Sequence, residues 1–147
     1  MLVATLFSFS SAYALPLIVT NCSDDATTVG SLRWAMTSAE AGYGNVIDFN
    51  IPTTEAGYDS SLGVWRISIH SSLPGITIGG VYINGSTQTT NQGNYNIYGP
   101  EIMISAEASP IDGVSFYSNS NTLEGVIINN FNRGNAVYIG NGQYNTV

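Results

Sequence analysis

TLEGVIINNFNRGNAVYIGNGQYNTV, residues 122–147, restates the pattern of the segment before it. Asn121-Thr122-Leu123 returns as Asn145-Thr146-Val147 after 24 positions, and Gly113-Val114-Ser115-Phe116 returns as Ala136-Val137-Tyr138-Ile139 after 23. Between these marks lies a third short apolar group, Gly125-Val126-Ile127-Ile128-Asn129-Asn130-Phe131. Three short strands joined by Asn, Gly and Ser turns, repeating every ~23 residues, are how one coil of a β-solenoid reads in sequence. A lone coil cannot bury its inward side chains, so neighbouring coils must stack and share a core. From Val46 to Val147 there is length for about four such coils.

Upstream of the repeat the chain keeps to strand and turn. Residues 46–51 alternate, with Ile47, Phe49 and Ile51 on one side and Val46, Asp48 and Asn50 on the other. Pro52 ends that run, 53–63 reads as a loop, and Val64–Ile69 alternates again. Further short strands are expected at 76–78, 81–83, 95–98, 102–105 and 114–116, with a polar loop over 84–94. One segment has a different period. Across residues 31–41, Leu32, Ala35, Met36 and Ala39 fall at i, i+3, i+4 and i+7, Ser31 is placed to cap, and Gly42 and Gly44 stop the run. The open end of a stack exposes unpaired backbone. This amphipathic helix, the sole helix expected, is therefore placed as a cap on the first coil. The other end, where the sequence stops in mid-repeat, is expected to be bare, as in the first part of a longer solenoid.

Composition narrows the class. The 147 residues imply one domain, and Arg33, Arg66 and Arg133 are the only cations against ten acids, a formal net charge of -7. Phosphate recognition needs clustered Lys and Arg, so nucleic acid is excluded as a partner, and an anionic membrane surface with it. A hydrophobic content of 44%, grouped in short β-branched runs, argues for a folded β-rich chain. Residues 1–14 differ from the rest. The apolar run Leu2-Val3-Ala4-Thr5-Leu6-Phe7-Ser8-Phe9 followed by the small-x-small site Ala12-Tyr13-Ala14 reads as a signal peptide lacking its basic start, hence a secreted or cell-surface protein. The run is too short to span a membrane. Cys22 is the single cysteine and is read as a small buried residue with no disulfide or metal role.

In series, Val19-Thr20-Asn21, Gly30-Ser31-Leu32-Arg33-Trp34-Ala35-Met36, Val46-Ile47-Asp48-Phe49-Asn50-Ile51-Pro52, Leu73-Pro74-Gly75-Ile76-Thr77 and Tyr82-Ile83-Asn84-Gly85-Ser86-Thr87-Gln88 resemble the N-terminal region of the CSLREA-type secreted right-handed parallel β-helix proteins. These belong to the pectate-lyase-like superfamily. The resemblance runs from about residue 17 to the end, with Gly30 where the family name has Cys and Trp34 where it has Glu. It implies an all-β fold, a right-handed parallel β-helix of about four coils with an N-terminal capping helix over residues 15–147. It names no activity.

Polysaccharide chemistry on such a wall would need carboxylates held by several strands around Ca²⁺, or two carboxyl groups flanking a glycosidic bond. The acids are scattered instead. Asp24-Asp25 reads as a loop pair beside a helix start, Asp48 as a solvent-facing strand residue with a groove acid as the alternative, and Glu101, Glu107 and Glu124 as single surface carboxylates. His70 and Arg133 read as turn residues. No catalytic residue, metal ligand or cofactor is assigned. The aromatic content, nine Tyr and two Trp, is the other signal, since aromatic faces stack on sugar rings. Trp65, Arg66 and Tyr82 are the candidate sugar contacts. The Asn-rich turns are read as structural, because Asn tolerates left-handed backbone and stacks as an amide ladder. The expected function is a structural or adhesive module, with extracellular polysaccharide or cell-surface glycan as partner and end-to-end self-association at the uncapped end. The alternative is part of a polysaccharide lyase, glycoside hydrolase or carbohydrate-binding protein.

Overall fold

The computed structural model describes residues 15–147, so the signal-peptide reading of residues 1–14 lies outside the described residues. Twelve elements follow one another: β1 (Leu17–Val19), α1 (Leu32–Glu40), β2 (Val46–Phe49), β3 (Tyr58–Asp59), β4 (Val64–Ile69), β5 (Tyr82–Asn84), α2 (Thr87–Gln92), β6 (Ile102–Ala106), β7 (Val114–Phe116), β8 (Thr122–Glu124), β9 (Val126–Asn129) and β10 (Val137–Ile139). The ten strands form three sheets, ordered β1-β2-β5-β8, β3-β4-β6-β9 and β10-β7. Every pairing is parallel except the hairpin of β3 with β4, where Tyr58 faces Trp65 and Asp59 faces Val64.

This corrects the sequence expectation. The chain is mixed α/β, with ten strands in three sheets and two helices, where an all-β parallel β-helix of four regular coils was expected. The ~23-residue period belongs only to the last pairings, Val114 with Val137 and Ile102 with Val126. Earlier register partners are Leu17 with Ile47, Ile47 with Ile83, Ile83 with Leu123 and Trp65 with Ile102, which stand 30, 36, 40 and 37 positions apart. The cause is visible at Gly125. This residue alone joins β8 to β9, whereas residues 85–101, α2 included, join β5 to β6. Gly125 has φ +66, and a Cβ there would lie 2.4 Å from Ser86 Oγ, so glycine is required where the short connection passes the long one. A period read from the compact tail could not carry back through segments that contain a hairpin and a helix.

The three sheets and α1 close around one apolar core. Val19, Ile47, Phe49 and Ile83 come from the first sheet, Trp65, Ile67, Ile69, Ile102 and Ile104 from the second, and Val114 and Phe116 from the third. Helix α1 adds Leu32, Ala35, Met36 and Ala39, all buried. Ser31 caps it in extended conformation, its Oγ accepting from the Trp34 N–H. Before it, Gly30 sits at φ +85, and a Cβ at that position would meet Thr20 Oγ1 at 2.2 Å. A side chain at position 30 would therefore bring both backbone strain and a clash with Thr20.

Residues 84–94 contain α2, a helix that sequence reading took for loop. Its sequence, TQTTNQ, has no apolar stripe, and its side chains bond the backbone of 49–51 as a neighbouring strand would. Gln88, fully buried, accepts from the Ile51 N–H at 2.8 Å and donates to the Ile51 carbonyl at 2.8 Å. Thr87 Oγ1 accepts from the Phe49 N–H, and Asn91 Nδ2 donates to the Phe49 carbonyl. The segment at 95–98, expected as a strand, is a loop.

Candidate functional site

The sheet β3-β4-β6-β9 turns one face to the core and one outward, because successive strand residues alternate. Its outward rows follow from the register: Arg66, Met103 and Ile127 form one, and Ser68, Ser105 and Asn129 the next. Two loops stand over the first row, 60–63 from the β3–β4 hairpin and 95–98 after α2. They enclose a cleft of about 400 Å³ with Val64, Met103 and Ile127 on its floor and Leu62, Tyr95, Ile97 and Tyr98 in its walls. Ile97 is 73% exposed and Tyr98 94%. Ser60, Ser61 and Asn96 complete the rim. The walls are held locally. Asp59 accepts from the Ser61 hydroxyl at 2.6 Å, which holds its carboxyl below the usual range, and Asn96 donates to the Pro100 carbonyl while accepting from the Tyr98 N–H. Gly63, at φ +69, passes beneath the Tyr95 carbonyl, where a Cβ would come within 2.3 Å.

The candidate sugar contacts fall in three different settings. Trp65 points into the core with 0% exposure and donates its indole N–H to the Pro52 carbonyl, so no ring can stack on it. It anchors instead the aromatics that lead outward: Tyr58 lies 4.6 Å and Tyr95 5.7 Å from it between ring centroids. Arg66 is half-buried, between two shallow grooves that share Ala56, Gly57 and Ser68. Tyr82 stands on another sheet, β1-β2-β5-β8, where its hydroxyl donates to Glu124 and raises its own pKa. The structure does not bring the three together. Leu62, Ile97 and Tyr98 do converge; residues 95–98 were expected as a strand and Leu62 as an ordinary loop residue, so their shared cleft was not foreseen. The bracket of Asn94 before and Gly99-Pro100 after was the available signal.

On the outer face of β1-β2-β5-β8, Asp48, Asn84 and Glu124 share one row by register. Partial burial raises the Asp48 carboxyl above its ordinary range. Asp24 is no free loop acid. Its Oδ1 accepts from Arg33 Nη2 at 2.7 Å and Nε at 2.9 Å, and its Oδ2 accepts from the His70 N–H at 2.9 Å. Glu101, read as a surface carboxylate, is buried and accepts from the Thr89 hydroxyl. Among the described residues no group of three or more His, Cys, Asp or Glu is placed to hold a metal ion, and no helix is long and apolar enough to cross a membrane.

Cys22 lines one of the grooves beside Arg66. Burial, reinforced by the nearby Glu55 carboxylate, pushes its thiol up to about 12 from 9.0. The thiolate is the reactive form, so at pH 8 alkylation by iodoacetamide is expected about a thousandfold slower than for a free thiol. The rate should keep climbing as pH rises past 10, where a free thiol has levelled off. A rate that levels off near pH 10, followed by stopped-flow or mass spectrometry, would show an unperturbed thiol.

No family model, curated protein or solved structure matches the chain.

Proposed function

We propose that this chain is a structural and adhesive module of a secreted or cell-surface protein, holding extracellular polysaccharide in the cleft of Leu62, Tyr95, Ile97 and Tyr98. The observation that carries the reading is the exposure of these large side chains in two loops that stand over a sheet face. A contiguous exposed apolar patch rimmed by polar groups marks an interaction site. A sugar ring offers the matching chemistry, since its C–H face packs on tyrosine and aliphatic side chains while its hydroxyls meet the Ser60, Ser61 and Asn96 rim. The order of sequence motifs resembling CSLREA-type proteins supports the extracellular setting. The same reading includes self-association at the face where Leu123, Val126, Ile128, Val137 and Val147 line a second apolar cleft.

In native gels cast with hydroxyethylcellulose, the wild-type chain is expected to be retarded. Tyr98→Ala should weaken retention roughly 2- to 10-fold, the range for losing one aromatic stacking partner. Equal mobility with and without the polymer would remove the glycan reading.

A glycoside hydrolase reading has one observation in its favour. Asp48 and Glu124 lie two strands apart on one face, a backbone separation of roughly 9.5 Å at normal strand spacing, near the carboxyl separation of inverting enzymes. New reducing ends released from soluble β-glucan by the wild type, and abolished by Asp48→Asn, would establish it over the adhesive one.

A further inference from the structure

We propose that Tyr117 and Tyr138 form a second saccharide-binding platform, on the wall made by β7 and β10 and separate from the cleft. The proposal rests on the glycan-binding reading above and extends it to a different face. By register the outward positions of this wall form a small lattice: Gly75 and Thr77 flank the Ile76 bridge, Ser115 and Tyr117 come from the middle layer, and Tyr138 and Gly140 from the next. The two glycines explain the posture of the ring between them. A Cβ at position 75 would meet Tyr117 Cε2 at 2.7 Å, and one at 140 would meet Cδ1 at 2.9 Å. Neither glycine has a left-handed φ, so their backbones do not require glycine. What requires it is the ring, whose two edges pass over one glycine each and which therefore lies across the wall with a face open to solvent.

Tyr117 is 47% exposed and Tyr138 41%, with ring centroids 5.6 Å apart and planes tilted by 52°. The two rings meet at an angle, so each can offer a partly exposed face to the same sugar chain. Ser115, beneath, is buried although it points outward. Amides are on hand at the adjoining corner. Asn119 uses its Oδ1 to accept from the Gln143 N–H, which leaves its amide N–H₂ and the exposed Gln143 side chain free to bond hydroxyls. A neutral sugar is the class this fits, because the chain carries a net charge of -7 and no cation is placed in the lattice. β-1,4-Linked glucan, a flat ribbon with its C–H bonds on both faces, suits a ring that lies flat on a surface. Two sugar-binding faces on one rigid body would let a single chain bridge two polymer strands.

The test is calorimetric titration of the full chain with cellohexaose. In a Tyr98→Ala background, weak residual binding is expected; adding Tyr117→Ala should reduce it at least tenfold, whereas adding Tyr117→Phe should leave it within twofold. Gly140→Val, which drives a side chain into the ring edge, should weaken it as Tyr117→Ala does. If Tyr98→Ala alone abolishes binding, the platform is overturned and the cleft stands. If Tyr117→Ala alone abolishes binding, the platform stands and the cleft falls. No binding by the wild type overturns both.

Discussion

Gln88→Leu is expected to destabilise the chain by about 2–5 kcal/mol, even though leucine fills nearly the same volume and is apolar in an apolar place. The side chain it replaces is fully buried and closes both backbone groups of Ile51, accepting from the N–H and donating to the carbonyl at 2.8 Å each. No backbone can take over, because the next residue is Pro52 and the strand ends there. A buried N–H or carbonyl left unpaired costs about 1–3 kcal/mol each, and leucine strands both. At roughly 2–4 °C per kcal/mol, thermal unfolding should come at least several degrees earlier. Gln88→Ala adds a cavity and should cost more still. If Gln88→Leu unfolds with the wild type in urea, the role given to α2 is wrong.

Arg33→Ala carries the second large effect, a loss of about 2–4 kcal/mol. Arg33 ties three segments. It donates to Asp24 through Nε and Nη2, to the Ser71 carbonyl at 2.8 Å and to the Ser72 carbonyl at 2.7 Å. The side chains of the pair keep only 12% and 15% of their surface, so water screens the interaction little. Removing the guanidinium leaves a mostly enclosed Asp24 without its arginine partner and frees both carbonyls. Arg33→Lys should recover less than half, since one ammonium cannot fork between a carboxylate and two carbonyls on opposite sides. A double-mutant cycle with Asp24→Ala should show coupling of about 1–3 kcal/mol. Additive losses would mean that the two side chains act separately.

Both effects arise where sequence reading was weakest. Helix α1 was legible because Leu32, Ala35, Met36 and Ala39 keep a helical period and all four are buried. Strand β4 was legible because Trp65, Ile67 and Ile69 alternate with Arg66 and Ser68. These are local patterns set by a single buried face. Helix α2 is polar on every side and is specified by what it bonds, the backbone at 49–51, some 37 positions back. Periodicity carries no trace of such a partnership. The link of Asp24 to the Arg33 side chain and the His70 backbone N–H likewise joins groups that only the closed fold brings together. The architecture failed for a related reason. The tail repeats at 23 and 24 positions, while the segments before it hold loops of unequal length between strands that nonetheless pair in register.

The aromatic content is visible in the sequence, but where it is displayed is not, because exposure depends on which strand face and which loop each residue occupies. Trp65, the most conspicuous aromatic, is core, while Tyr98 and Tyr117 are among the tyrosines displayed. Tyr117 was marked by its neighbours in space, Gly75 and Gly140, which lie 42 and 23 positions from it.

Mapping backbone amide shifts of the full chain during titration with cellohexaose tests the central claim, that sugar is held by exposed aromatics on two outer walls. Shifts are expected at residues 62–64 and 95–98 and at 117 and 138–140, with the amides of β1, β2 and β5 unmoved. Shifts gathered around Asp48, Tyr82 and Glu124, or none at millimolar sugar, would contradict it.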